Sequence, residues 1–262
     1  MKDPTLAIQT NTISRFVKTP ADFKESMNKI RSIGYRALQL DTNHVPVGPD
    51  FPPAEVKRIV DEVGLTICNV HMLWERILAD MQGAIGQLRL WECEHLAVPI
   101  PPKGLPDQGE AGYRRFAREA TRLGQSLAEA GITLSYHNHS IELVRYGSRT
   151  GLEIIFDESD SRYLLAELDT YWIQHGGCDP VAWIRRMKNR MPVVHLKDMA
   201  ILPDRSQTFA EVGQGNLDWP AILTACQEAG VYWYVVEQDT CPADPFESLG
   251  ISYRYLAGRG FK

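Results

Sequence analysis

The feature that most constrains this chain is an alternation, repeated along its length, between short apolar runs and longer amphipathic segments. At four clear joints a glycine separates an amphipathic segment from the next apolar run: Gly34, Gly64, Gly131 and Gly230. Because glycine readily adopts the left-handed conformation that ends a helix, each joint indicates the end of a helix and the start of a strand. The pattern predicts a chain built from repeated strand–helix units.

The starts of helices carry a signal of their own. In three places an Asp or Thr, whose side chain can cap a helix, precedes a proline: Thr19-Pro20, Asp179-Pro180 and Asp244-Pro245. Proline is favoured in the first turn of a helix, because backbone N–H groups there have no hydrogen-bond acceptor within the helix. Phe23, Met27 and Ile30 then recur with helical spacing, so an amphipathic helix is predicted after Thr19.

Counting the apolar runs yields eight predicted strands. They are Leu6–Thr10, Tyr35–Asp41, Leu65–His71, His95–Ile100, Ile132–His137, Tyr163–Asp169, Pro192–Lys197 and Tyr232–Gln238. Their runs are continuous rather than alternating, which is typical of parallel strands covered on both faces. Because no linker or shift in composition interrupts them, we predict a single α/β domain over residues 1–262, a (β/α)8 TIM barrel. An open doubly wound sheet is the alternative, but no G-x-G-x-x-G follows the first strand.

Charge and composition exclude several classes of function. The net charge of −5 provides no positive field for a nucleic acid backbone, so we expect no nucleic acid partner. No apolar run approaches the roughly 20 residues that span a bilayer, and the first twelve residues lack a secretory signal. The five cysteines are scattered and odd in number, a usage typical of a reducing compartment. We therefore expect a cytoplasmic protein without a membrane partner.

The working residues of such barrels lie where the strands end and in the loops that follow. Here these positions are rich in side chains that can bind metals or move protons: His71, His137, His139, Glu142, Asp169, His195, Lys197 and Glu237. Asp169 alone could simply cap the next turn, and His195 alone could be a core histidine. An unpaired Glu237 deep in a barrel would be costly, however. Clustered together, these charges would repel one another unless a cation neutralised them, so we predict one divalent ion, Mn²⁺, Mg²⁺, Co²⁺ or Zn²⁺.

The order and spacing of these residues resemble a known family. The matching motifs are Tyr136-His137-Asn138-His139-x-x-Glu142, Asp169-x-x-Trp172, His195-Leu196-Lys197-Asp198, Glu211-Val212-Gly213-x-Gly215 and Val236-Glu237-Gln238-Asp239. They are similar to those of the xylose isomerase-like TIM barrel superfamily, in its sugar phosphate isomerase/epimerase branch. The motifs cover roughly residues 130–240, and the strand–helix rhythm extends over the chain.

The resemblance implies a metal ion held by one ligand each from strands five, six, seven and eight. Asp169, His195 and Glu237 match three of these ligands directly. Many relatives have a glutamate at the end of strand five, where this chain has His137. Either Glu142 or His137 could replace it, and we favour Glu142 because a carboxylate keeps the family's charge balance.

The resemblance also implies an enzyme, a metal-dependent isomerase or epimerase of a small keto-sugar or polyol. The ion would stabilise an enediolate, with Glu237 or Glu142 moving the proton and His137, His139 or His71 working on the other face. Lys197 could anchor a substrate oxygen or form an ion pair with Asp198 or Glu211.

Other groups are candidates for contacts with the substrate. Trp74 and Trp172 could pack on a sugar ring, and His71 and Glu211 could bind its hydroxyls. The glycines that follow Glu211 permit a close backbone approach to a ligand or, alternatively, a flexible loop.

Three other functions are alternatives. The same site would support a dehydratase or lyase of the inosose, dehydroshikimate or 3-keto-glycoside type, which is the main alternative. An apurinic endonuclease is disfavoured by the acidic charge and by having only seven histidines. A non-catalytic sugar-binding barrel would not need the ligand set. Because barrels of this branch often form dimers or tetramers, the resemblance also allows a homo-oligomer.

Overall fold

Eight parallel strands close into a barrel in the computed structural model, which describes residues 4–262. The strands are β1 Thr5–Gln9, β2 Ala37–Asp41, β3 Thr66–His71, β4 His95–Val98, β5 Thr133–His137, β6 Leu164–Asp169, β7 Val193–Leu196 and β8 Trp233–Val236. Each strand pairs with its neighbours in the sequence, and β1 pairs with β8 to close the barrel. The predicted closed barrel and its eight strands are confirmed.

Helices cover the outside of the barrel. They are α1 Pro20–Ile33, α2 Pro53–Val63, α3 Trp74–Ala79, α4 Met81–Leu90, α5 Gly109–Ala128, α6 Gly151–Glu158, α7 Thr170–His175, α8 Pro180–Arg186, α9 Trp219–Ala229 and α10 Pro245–Ala257. Short antiparallel pairs lie after β5 (Arg145–Tyr146 with Arg149–Thr150) and after β7 (Asp198–Ile201 with Gln207–Ala210). Among the described residues no helix combines the length and apolarity needed to cross a bilayer.

The predicted caps set the helix boundaries. Thr19 Oγ1 accepts a hydrogen bond from the backbone amide of Asp22 at 3.1 Å and so caps α1. Asp179 and Asp244 cap α8 and α10 in the same way, at 2.8 and 2.9 Å from the amides two residues on. Gly64 ends α2 in the left-handed conformation at φ 74°, which a residue with a side chain rarely adopts.

The inside of the barrel has a small apolar layer and a polar layer above it. Ala7, Ala37, Cys68, Val193 and Val235 pack together as a separate apolar cluster. Because side chains on a strand alternate between its two faces, the residue two positions further along points the same way. The next inward positions are therefore Gln9, Gln39, His195 and Glu237, all buried. The polar layer thus faces the carboxyl ends of the strands.

The loop after β7 is organised around the buried carboxylate of Asp198. Its Oδ2 accepts hydrogen bonds from the amides of Gly213 and Gly215 at 2.9 and 3.0 Å and from the indole of Trp219. A Cβ on Gly215 would overlap this carboxylate. The glycines after Glu211 therefore allow the backbone to approach Asp198, where the sequence alone suggested a ligand or a flexible loop.

The Asp198 contacts predict that Asp198→Asn destabilises the protein by about 1–3 kcal/mol, since an amide cannot accept from all of these donors. Urea unfolding followed by circular dichroism measures the effect. Asp204→Asn is the matched control, because Asp204 is exposed and bonds only within its own turn, to Ser206. Equal losses in the two variants would contradict the proposed role of Asp198.

Candidate metal centre

Four buried side chains converge where the barrel strands end. His137 and Asp169 are the last residues of β5 and β6, His195 lies in β7, and Glu237 directly follows β8. Each offers one donor atom, and these atoms all lie within 4.8 Å of one another. The group could therefore hold a metal ion.

Strand register brings these residues together. Asp169 lies directly beside His195 across β6 and β7, and Val235 lies beside His195 across β7 and β8. Glu237 is two residues beyond Val235 and so points into the barrel as well. His195 Nδ1 consequently lies 2.9 Å from Glu237 Oε2 and 3.9 Å from Asp169 Oδ2.

Lys197 is almost fully buried beside these carboxylates. Its Nζ lies 2.8 Å from Glu237 Oε2, 2.9 Å from Asp239 Oδ1 and 3.2 Å from Asp169 Oδ2. It is therefore paired with these three carboxylates rather than with Asp198 or Glu211. Because the carboxylates outnumber the ammonium, the cluster keeps an excess of negative charge that a divalent cation would neutralise.

Two donor atoms of the cluster have no hydrogen-bond partner among the described residues. Asp169 Oδ1 accepts from the backbone amide of Trp172 at 2.9 Å and caps α7, but Asp169 Oδ2 accepts no hydrogen bond. The Nδ1 atom of His137 also has none. Asp169 Oδ2 is 3.2 Å from the Lys197 ammonium, and His137 Nδ1 is 3.6 Å from Glu167 Oε1. Because no hydrogen bond is made to either atom, both could coordinate a cation. Asp169 thus serves as a cap and still has an oxygen for a ligand.

The protonation tendencies of the four residues differ. Burial raises the pKa of Asp169 to about 6. Burial also raises the pKa of Glu237, but Lys197 and His195 outweigh it and hold the pKa well below its ordinary value. Burial and the neighbouring histidines lower the pKa of His137, which keeps this imidazole neutral, the form that binds metals.

His195 behaves in the opposite way to His137. Burial lowers its pKa, but the carboxylates of Glu167 and Glu237 outweigh burial and raise the pKa to about 10. Without a cation in the centre, His195 is therefore a cation itself. A metal ion would have to displace the proton on Nδ1, which faces Glu237.

Glu142 lies outside this centre. Its two oxygens accept hydrogen bonds from the hydroxyl of Tyr136 at 2.7 Å and from the backbone amide of His139 at 2.8 Å. Tyr136 points towards the outer helices, where it packs against Phe116 of α5, whereas His137 points into the barrel. Of the two alternatives for strand five, the structure brings His137 into the cluster, although the sequence argument favoured Glu142.

A cavity of about 380 Å³ opens above the cluster. His71, His137, His139, Lys197 and Glu237, all expected at the site, line its wall. Five further polar residues that were not predicted from the sequence also line it: Asn11, Asp41, Asn43, His44 and Asp239. Asn11 Nδ2 donates to Glu237 Oε1 at 2.9 Å, and the only sequence signal for it was its position just after β1.

The other expected substrate contacts are dispersed. Trp172 lies beside His139, with ring centroids 5.1 Å apart. Trp74 instead packs edge-on against Phe116 in the helix layer, 5.1 Å between centroids. Glu211 accepts a hydrogen bond from Ser248 of α10 at 2.7 Å. The structure therefore brings Trp172 near the cavity wall, but neither Trp74 nor Glu211.

Glu167 is the main polar residue that the sequence analysis did not select. It is fully buried inside the barrel, with His71 Nε2 at 2.6 Å and His195 Nε2 at 2.9 Å from its Oε1. It precedes Asp169 by two residues, so the alternation of side chains in a strand could have identified it.

Comparisons with known proteins agree with this architecture. A family model described as xylose isomerase-like TIM barrel matches residues 27–252. A sugar phosphate isomerase/epimerase structure from Parabacteroides distasonis superposes with a TM-score of 0.80 at 18% identity, covering 98% of each chain. At that identity the likeness shows the fold alone.

Two known proteins are similar to this chain in sequence. The inosose dehydratase of Lacticaseibacillus casei is 27% identical over 161 residues, 55% of this chain and 53% of that protein. The rhizopine catabolism protein MocC of Rhizobium meliloti is 25% identical over 286 residues, 89% of this chain and 80% of that protein. The chain thus spans about half the length of the inosose dehydratase it matches. With the family model matching most of its length, the chain belongs to the xylose isomerase-like TIM barrel family.

Proposed function

We propose that this protein is a divalent-metal-dependent enzyme that transfers protons on a small keto-sugar or keto-polyol. The observation that carries the proposal is the buried cluster of His137, Asp169, His195 and Glu237 at the mouth of the barrel. The sequence similarity to an inosose dehydratase supports a cyclic polyol ketone as the class of substrate.

The donor set fits a divalent ion. Two imidazoles and two carboxylates suit Mn²⁺, Co²⁺ or Zn²⁺, and they suit Mg²⁺ less well because Mg²⁺ prefers oxygen ligands. Asp169 Oδ2 and His137 Nδ1, to which the described residues make no hydrogen bond, would be available to coordinate it. Bound there, the ion would polarise a carbonyl group and stabilise the negative charge that develops when a neighbouring proton leaves.

The remaining residues supply binding and proton transfer. The ammonium group of Lys197 lies in the cavity wall and would hold a negatively charged substrate oxygen. Glu237 and Asp239 line the same cavity and would remove the proton next to the carbonyl group. His139 Nδ1 is buried without a hydrogen-bond partner among the described residues. Burial and the nearby Lys197 lower the pKa of His139 to about 3, so this neutral imidazole would bind a hydroxyl group.

The position of Glu142 favours elimination of water as the reaction. Epimerisation requires groups on both faces of the substrate that can remove and return a proton. Glu142, the carboxylate that the segment after β5 contributes, is occupied by Tyr136 and the His139 amide. Burial lowers the pKa of His71, but the carboxylates of Glu167 and Asp41 outweigh burial and raise the pKa. The His71 imidazole lines the cavity and suits protonation of a leaving hydroxyl.

We therefore place a dehydratase or lyase first, which reverses the order expected from the sequence. An isomerase or epimerase is the second candidate, because the same cluster would support it and because a sugar phosphate isomerase/epimerase shares the fold. The two candidates differ only in the fate of the proton and of the β-hydroxyl group.

The ligand set predicts which variants lose metal. His137→Ala and Asp169→Asn should weaken Mn²⁺ binding by more than the roughly 10–100-fold typical of losing an outer partner. Glu142→Gln should bind Mn²⁺ like the wild type. Isothermal titration of the chelator-treated proteins measures this. Loss of binding in Glu142→Gln with binding kept in His137→Ala would instead identify Glu142 as the ligand.

The reaction is tested by turnover in D₂O with added Mn²⁺ on inososes, ketoses and 3-keto-glycosides. We expect a product lighter by one water, and Asp169→Asn should form none. Deuterium next to the carbonyl group without loss of mass would establish the isomerase or epimerase instead. Neither label nor mass change with any compound, although metal is bound, would contradict both candidates.

A further inference from the structure

Glu167 occupies the centre of the polar layer beneath the metal cluster. Its carboxylate accepts hydrogen bonds from His71 Nε2 at 2.6 Å, from Gln39 Nε2 at 2.8 Å and from the amide of Asn69, and His195 Nε2 lies 2.9 Å away. Among the described residues, no lysine or arginine forms an ion pair with it. Burying a carboxylate costs free energy, which indicates that Glu167 does more than fill space in the barrel.

The contacts of His195 show that its inner ring nitrogen, Nε2, carries a proton. Its Nε2 lies 2.5 Å from Gln39 Oε1 and 2.9 Å from Glu167 Oε1. Both oxygens only accept hydrogen bonds, so Nε2 must be the donor. The other nitrogen, Nδ1, faces Glu237 and Asp169 in the proposed metal centre.

Gln39 links Glu167 to His195. The amide nitrogen of Gln39 donates to Glu167 Oε1, which turns the amide oxygen towards His195 Nε2. Without the carboxylate, the Gln39 amide could rotate and present its nitrogen to His195. In the neutral imidazole, the form that binds metals, that orientation would favour the wrong tautomer, with the proton on Nδ1, where a metal ligand needs a lone pair.

We propose that Glu167 is a positioning residue that, directly and through Gln39, keeps the proton of His195 on Nε2 and so prepares Nδ1 as a metal ligand. This inference rests on the proposed metal centre, and it adds a function for a residue that does not itself reach the cavity. Histidine ligands commonly depend on such an outer carboxylate for their orientation.

The test compares two buried glutamates of the same chain. Glu167→Gln removes the inner charge with almost no change of shape, and Glu142→Gln is the matched control because Glu142 faces the outer layer. We expect Zn²⁺ to bind Glu167→Gln roughly 10–100-fold more weakly than the wild type, with Glu142→Gln unchanged. Competition with a chromogenic chelator measures the dissociation constants, and thermal unfolding shows that each variant is folded.

Nitrogen NMR of the imidazole rings supplies a readout that a merely structural role would not change. In the Zn²⁺-loaded wild type, His195 should carry its proton on Nε2, whereas Glu167→Gln should show a mixture of tautomers. A proton on Nδ1 in the wild type overturns the inference even if Glu167→Gln fails to fold. The inference is also overturned if a folded Glu167→Gln variant binds Zn²⁺ as tightly as the wild type does.

The outcomes separate this inference from the proposed function. If the wild type binds no Zn²⁺, the metal centre and the role of Glu167 both fall. If the wild type binds Zn²⁺ and Asp169→Asn does not, while Glu167→Gln binds normally, only the role of Glu167 falls.

Discussion

The compensation of buried negative charge at the mouth of the barrel is the constraint on which the rest of the site depends. Asp169 and Glu237 are buried, and the single ammonium of Lys197 cannot balance them together with Asp239. Such a cluster is costly unless further positive charge is available, and His195 supplies it when no metal ion is bound. The same imbalance would favour the binding of a divalent cation.

The alternation of side chains in the strands divides polar groups of similar chemistry between two environments. His137 and Tyr136 are adjacent in β5, yet one faces the barrel interior and the other faces α5. Tyr136 then holds Glu142 in the outer layer by a hydrogen bond. A single step along one strand therefore decides whether the centre has a carboxylate or an imidazole from this side, and that choice bears directly on which proton transfers it can perform.

The barrel itself does not select the reaction. Proteins named as an inosose dehydratase and as a sugar phosphate isomerase/epimerase are similar to this chain in sequence or in fold. What distinguishes one activity from another must be the groups that line the cavity above a shared set of strand ends. In this chain the groups that line the cavity include the imidazoles of His71 and His139 and the carboxylate of Asp239.

The sequence by itself determined the eight strands, the helix caps and the inward residues Asp169, His195 and Glu237. These features follow from local periodicity and from strand ends, where the direction of a side chain is set by its own strand. Only the tertiary structure decided the contribution of strand five, the pairing of Lys197 and the position of Trp74. Those depend on how the chain turns after it leaves a strand, where no period applies, and on contacts between residues far apart in the sequence. Glu167 combines both situations. The direction of its side chain could be predicted from Asp169, two residues further along the same strand, but its hydrogen-bond partners could not.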